Sequence, residues 1–175
     1  EKTYFIGIGI DKFANPEYNL SYSSKDIRDL SAKLKQKYGN DISIDTLFNE
    51  NVTVGNIKAL KQKLLQTTVN DRVIISYSGH GLLSKAYDYF LSTYSVNFTN
   101  PEENGLPYDE FENLLDNIPA RKKLMLIDAC HSGEVDKEDF QKVKINKAAL
   151  DANHIVSKGA EISNTDEGVT KKLGL

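Results

Sequence analysis

A chain of 175 residues, 39% hydrophobic and 27% charged, is long enough for one globular domain with a core of its own. Its net charge of −3 arises from well-mixed charges, so no basic face argues for nucleic acid or for an acidic membrane surface. No apolar run reaches the roughly 18 residues that a membrane-crossing helix needs.

The only cysteine is Cys130, which has no partner for an internal disulfide. An unpaired thiol persists best in a reducing compartment, so a cytoplasmic location is expected. The first residues lack a signal-peptide layout, and a start at Glu1 rather than methionine leaves room for a segment upstream.

In chain order, Tyr4–Ile10 (YFIGIGI) is short, apolar and β-rich and runs into Asp11 and a polar loop through Pro16, which predicts a buried strand. From Ser23 to Lys37 the apolar Ile27, Leu30 and Leu34 recur at helical spacing, Ser23 or Ser24 can cap the start, and Gly39 follows the end, so a helix is predicted. Ile42–Phe48 predicts a second strand, and Thr53 opens a segment whose Ile57, Leu60, Leu64 and Leu65 line one helical face. Arg72–Ser76 (RVIIS) predicts a third strand running directly into Tyr77-Ser78-Gly79-His80-Gly81, where the glycines break the pattern. Tyr87–Thr93 reads as a short accessory strand, Thr99–Gly105 as a turn-rich loop, and Tyr108–Asn117, with Phe111, Leu114 and Leu115, as a helix. Leu124–Ile127 (LMLI) predicts the fourth core strand, ending in Asp128-Ala129-Cys130-His131-Ser132-Gly133.

Strands alternating with helical stretches predict an α/β fold with a mostly parallel sheet and helices on both faces. Ligands of such sheets bind beyond the carboxyl ends of the strands, and His80 and Cys130 both fall at that edge. After Gly133 the chain turns polar, with no strong strand and only weak helical patterning from Phe140 to Leu150. The expected organisation is a catalytic domain over residues 1–133 and a polar linker or tail over 134–175.

A thiol attacks a carbonyl only as thiolate and needs a nearby base, which His80 is placed to be. The oxygen that becomes negative in the intermediate can be held by backbone N–H groups, here those of Gly81 and Cys130. Glycines on both sides of His80 would let the backbone turn tightly. A free cysteine is more often a buried core residue than a nucleophile, but Asp128, His131, Ser132 and Gly133 around Cys130 make a better strand-end loop than a continued core strand. His131 is read as shaping that loop and His154 as a surface residue. A zinc site from His80, Cys130 and His131 lacks the paired ligand spacing of such sites. Gly7 and Gly9 lack the third glycine of a dinucleotide fingerprint, so close packing against the strand explains them. Asp88, Glu102, Glu103 and Asp109 lack the ordered spacing of a calcium loop and read as solvated surface.

Tyr77–Gly81 resembles the histidine motif, and Asp128–Gly133 the cysteine motif, of the caspase-fold cysteine peptidases, with the bacterial metacaspase-like branch most similar. Both motifs occur in the family's order, each after an apolar strand, and the resemblance covers residues 3–133. It implies a three-layer α/β/α fold in which this chain is the large subunit with four main strands, two more coming from a small subunit of the same precursor. It also implies an endopeptidase acting through a thioester, with a His80–Cys130 dyad, oxyanion donors at Gly81 and Cys130, and no required cofactor. An acidic pocket from Asp26, Ser78 and Asp128 would take arginine or lysine before the cleaved bond. Asp26 has a second reading, as a first-turn acid complementing the helix dipole. Ser23 and Lys25 stand where metacaspases often carry cysteine and asparagine, and the calcium-binding acids of some metacaspases are not clearly reproduced after Cys130. The implied partners are a protein or peptide substrate and the small subunit, with processing in the linker, where Lys171 and Lys172 are candidate sites. A catalytically silent caspase-like interaction module is the alternative, and a nucleotide-binding α/β domain is disfavoured by the lack of a phosphate loop.

Overall fold

The computed structural model describes residues 1–131 and 155–158. In chain order its main elements are β1 (Thr3–Gly9), α1 (Ser23–Tyr38), β2 (Ile42–Phe48), α2 (Val54–Ala59), α3 (Lys61–Leu64), β3 (Arg72–Leu83), β4 (Tyr89–Leu91), β5 (Leu106–Pro107), α4 (Tyr108–Glu112), β6 (Lys122–His131) and β7 (Ile155–Lys158). They form one mixed sheet with helices on both faces. Five strands run parallel in the order β2-β1-β3-β6-β7, and β4 and β5 attach antiparallel at the far end of β3.

The pleat sends alternate residues to opposite faces, and the two resulting cores are unequal. Phe5, Ile42 and Ile74 pack under Leu30 and Leu34 of α1. On the other face Ile6, Ile8, Val73, Ile75, Tyr77, Met125 and Ile127 pack against Ile57, Leu64, Phe111 and Leu114. Fully burying one such aliphatic side chain is worth about 1.5–3 kcal/mol, so this larger core is the main stabiliser of the sheet.

Glycines bring α1 against β1. A Cβ on Gly7 would lie 2.6 Å from Ile27 Cγ2, and one on Gly9 would lie 2.9 Å from the carbonyl oxygen of Ser23. Close packing is therefore the role of this GxG. The start of α1 departs from expectation: its N-cap is Tyr22, without a side-chain bond, and the Ser24 N–H donates instead to Asp11 Oδ2 at 3.0 Å. The helix is thus capped by Asp11, from the loop just beyond β1. Its other end follows the usual chemistry, with Gly39 at φ 57° and its N–H on the Lys35 carbonyl.

Both motif-bearing strands run further than predicted. β3 was expected to end at Ser76 and continues to Leu83, while β6 was expected to end at Ile127 and continues to His131. The two extensions pair with each other from Ser78↔Asp128 through Gly81↔His131, so each satisfies the other's backbone groups despite the glycines. The four predicted main strands are β1, β2, β3 and β6. A further parallel strand, β7, pairs Met125–Asp128 with Ile155–Lys158, inside the stretch expected to carry no strong strand. Two apolar β-branched residues, Ile155 and Val156, are too short a run to signal a strand in a polar context. Ser132, Gly133, His154, Lys171, Lys172 and the weak helical pattern of residues 140–150 lie outside the described residues. No described helix is long and apolar enough to cross a membrane.

Candidate active site

The carboxyl ends of the central strands carry the predicted residues. One register row across the sheet runs Gly9, Ser78, Asp128 and Lys158, and the row two residues further pairs His80 with Cys130. Residues far apart in sequence therefore become backbone neighbours. Gly81 sits one step beyond, opposite His131 on one side and Leu91 on the other.

His80 is 5% exposed and is framed by aromatic rings from two loops. Phe13 lies at 5.3 Å between ring centroids and Phe98 meets the imidazole edge-on at 5.5 Å. Phe98 in turn stacks on Tyr18 at 3.7 Å with 5° between planes. The His80 Nε2 is 2.7 Å from the carbonyl oxygen of Tyr18. A carbonyl only accepts, so Nε2 carries the proton, and in the neutral ring Nδ1 holds the lone pair. That tautomer suits a base whose working nitrogen is Nδ1.

The loop presenting Phe13 and Tyr18 is braced by its own asparagines. Asn15 Oδ1 accepts from the Glu17 N–H at 3.1 Å, and Asn19 Oδ1 accepts from the Phe13 N–H at 2.9 Å. The Ala14 N–H donates to the Tyr94 carbonyl and the Leu20 N–H to the Asp11 carbonyl. By sequence alone, Asp11 through Pro16 is a plain polar loop. The Asn-x-x-x-Asn pattern of Asn15 and Asn19 is the local signal of a self-bonded turn, while the convergence with Phe98 has no local signal.

The glycines beside His80 do not make a turn. Among the described glycines the positive φ is at Gly39, and Gly79 and Gly81 lie within extended β3. Their small size leaves room for tyrosine hydroxyls. A Cβ on Gly79 would lie 2.5 Å from Tyr77 Oη and 2.6 Å from Ile10 Cγ2, and one on Gly81 would overlap Tyr89 Oη.

Ser78 is buried at 5% exposure, and Asp128, its register partner, is half-buried. Asp26 is exposed in the first turn of α1, the helix whose start abuts Gly9 in that same row. All three therefore stand toward one edge of the sheet, Ser78 and Asp128 as direct neighbours. Among the described residues no group of three or more His, Cys, Asp or Glu side chains could hold a metal ion. Asp88, Glu102, Glu103 and Asp109 thus form no such cluster.

A family model described as "Caspase domain" matches residues 6–171, running past residue 133 into the stretch expected to be linker. No curated protein matches. A crystal structure of a Geobacter sulfurreducens protein is similar in fold, with a TM-score of 0.63 at 21% identity, covering 81% of this chain and 55% of that one. This chain therefore spans little more than half the length of that relative.

Proposed function

The chain belongs to the caspase-domain family, and from that membership we propose that it is a cysteine endopeptidase of the metacaspase-like branch, working through a His80–Cys130 dyad. The observation that carries the reading is the register pairing of His80 with Cys130 at the carboxyl ends of adjacent parallel strands, beside a histidine whose Nε2–H is held by the Tyr18 carbonyl.

In this reading His80 Nδ1 accepts the thiol proton, and the Cys130 thiolate attacks the scissile carbonyl. The backbone N–H groups of Gly81 and Cys130 stabilise the oxyanion. His80 then returns the proton to the leaving amine, and water, deprotonated by the same ring, hydrolyses the thioester. The Tyr18 carbonyl favours the imidazolium that forms between these transfers, as an acceptor facing a developing cation.

Asp128 of β6, Ser78 of β3 and Asp26 of α1 form the pocket for the residue before the cleaved bond. Two carboxylates there favour a guanidinium or ammonium, so the substrate is a protein or peptide cut after arginine or lysine. The small-subunit part of the same precursor completes the sheet and is a partner, processing in the linker activates the enzyme, and its compartment is the cytoplasm. The greater length of the Geobacter relative supports a domain larger than this chain.

The test is a panel of fluorogenic peptides with Arg, Lys or Asp before the cleaved bond, assayed on full-length protein and its Cys130→Ala variant. Turnover of Arg and Lys peptides that vanishes in the variant is the expected result. Turnover that survives Cys130→Ala removes the dyad, and a preference for Asp removes the pocket assignment.

A further inference from the structure

We propose that Tyr77 and Ser92 are positioning residues that hold the main chain of His80 in the place from which its imidazole works, an inference that rests on the reading of His80 as the proton-handling residue.

Ser92 follows β4, is wholly buried, and grips His80 twice. The His80 N–H donates to Ser92 Oγ at 3.1 Å, and the Ser92 N–H donates to the His80 carbonyl at 2.9 Å. Tyr77 adds a third hold. Its Oη lies 2.7 Å from Ser92 Oγ, 2.8 Å from the Ser92 carbonyl and 3.2 Å from the His80 carbonyl.

One proton assignment satisfies every contact. The His80 N–H donates to Ser92 Oγ, the Ser92 hydroxyl donates to Tyr77 Oη, and the Tyr77 hydroxyl donates to the Ser92 carbonyl, with the His80 carbonyl as a second acceptor. Such a chain is cooperative in a dry interior, and Tyr77 is fully buried. Burial also holds the Tyr77 phenol protonated far above its ordinary range, so the donor is present throughout. Gly79 belongs to the same device, since a side chain there would occupy the place of Tyr77 Oη. The ring itself is held by other groups, Tyr18 and Phe98, so this network acts on where the backbone of β3 sets the ring down.

A purely structural role for these hydroxyls and a positioning role differ in what they move. Loss of fold lowers the amount of active enzyme, whereas a misplaced base lowers turnover with little change in substrate binding. The experiment uses the full-length protein and compares Ser92→Ala, Tyr77→Phe, His80→Ala and Ile57→Val, the last removing a methyl group from the core at α2. Kinetics on Arg and Lys peptides are read after active-site titration, with thermal melting in parallel. A displacement well under 1 Å predicts a fall in kcat of roughly 10- to 100-fold for Ser92→Ala and about 3- to 10-fold for Tyr77→Phe, with KM changed by no more than about twofold. Ile57→Val keeps kcat per titrated site at the wild-type value despite its lower melting temperature.

If kcat per site is unchanged in both hydroxyl variants while His80→Ala is inactive, the positioning role is wrong and the dyad stands. A His80→Ala enzyme that turns over normally overturns the dyad, and the positioning role with it. Should KM rise in step with the loss of kcat/KM, the network serves substrate binding and the inference fails.

Discussion

The Nε2 of His80 lies 2.7 Å from the carbonyl oxygen of Tyr18, 62 residues away in sequence. An acceptor that cannot donate selects one tautomer of the neutral ring. Long-range nitrogen–proton correlation spectra of the histidine rings, recorded where His80 is neutral, are expected to show Nε2 protonated and Nδ1 bare. A protonated Nδ1 would contradict both the contact and the direction of proton transfer proposed from it.

Asp128 stands in register with Ser78 and is half-buried, so a cationic substrate group meeting it would do so partly out of water. Hydrogen bonds to charged groups are worth about 1.5–3 kcal/mol, which predicts that Asp128→Ala lowers kcat/KM for Arg peptides by roughly 10- to 150-fold. Asp26 is exposed, and its Ala variant should cost about tenfold or less, because solvent screens its charge. Equal kcat/KM for wild type and Asp128→Ala would place the pocket elsewhere.

The strands of the core were legible because they are apolar and short. Ile42–Phe48 begins and ends where its pattern does, and the region of Ile27, Leu30 and Leu34 is helical as their spacing requires. The ends of β3 and β6 were not legible, since Gly79 and Gly81 read as breakers and only the facing strand shows that 78–81 and 128–131 pair. Local propensity yielded there to tertiary pairing. The residues surrounding His80 were invisible for a related reason. Phe13 and Tyr18 come from one connection and Ser92 and Phe98 from another, and no periodicity within either points at the other.

Gly79 offers a sharp test of why glycine flanks His80. Its backbone needs no special φ, so the space taken by Tyr77 Oη, Tyr77 Cζ and Ile10 Cγ2 is what forbids a side chain. Overpacking of this kind costs about 1–3 kcal/mol, and Gly79→Ala should lose that much stability in urea denaturation. The same substitution in a Tyr77→Phe background should cost less, because the closest of the three collisions is gone while those with Tyr77 Cζ and Ile10 Cγ2 remain. A cost that is identical in both backgrounds would show that the hydroxyl is not what the glycine accommodates.

Asp71 ties the start of β1 to the turn before β3, accepting the Lys2 N–H and the Thr68 N–H, each at 2.8 Å. These backbone hydrogen bonds, the Lys2 one first, hold its carboxyl below the usual range. A carboxyl with a lowered folded pKa binds fewer protons when folded than when unfolded. Its contribution is therefore complete above about pH 4, the ordinary value for aspartate, and fades as pH falls through the lowered one. Asp71→Asn keeps the shape but loses the charge and one acceptor, so it should be less stable than wild type by about 1–2 kcal/mol at neutral pH. The gap between the two proteins should narrow as denaturation is repeated at successively lower pH below that point. A gap that stays constant, or widens, with acidification would mean that the Asp71 charge is not what secures the two strands, and that its partners would accept a neutral oxygen equally well.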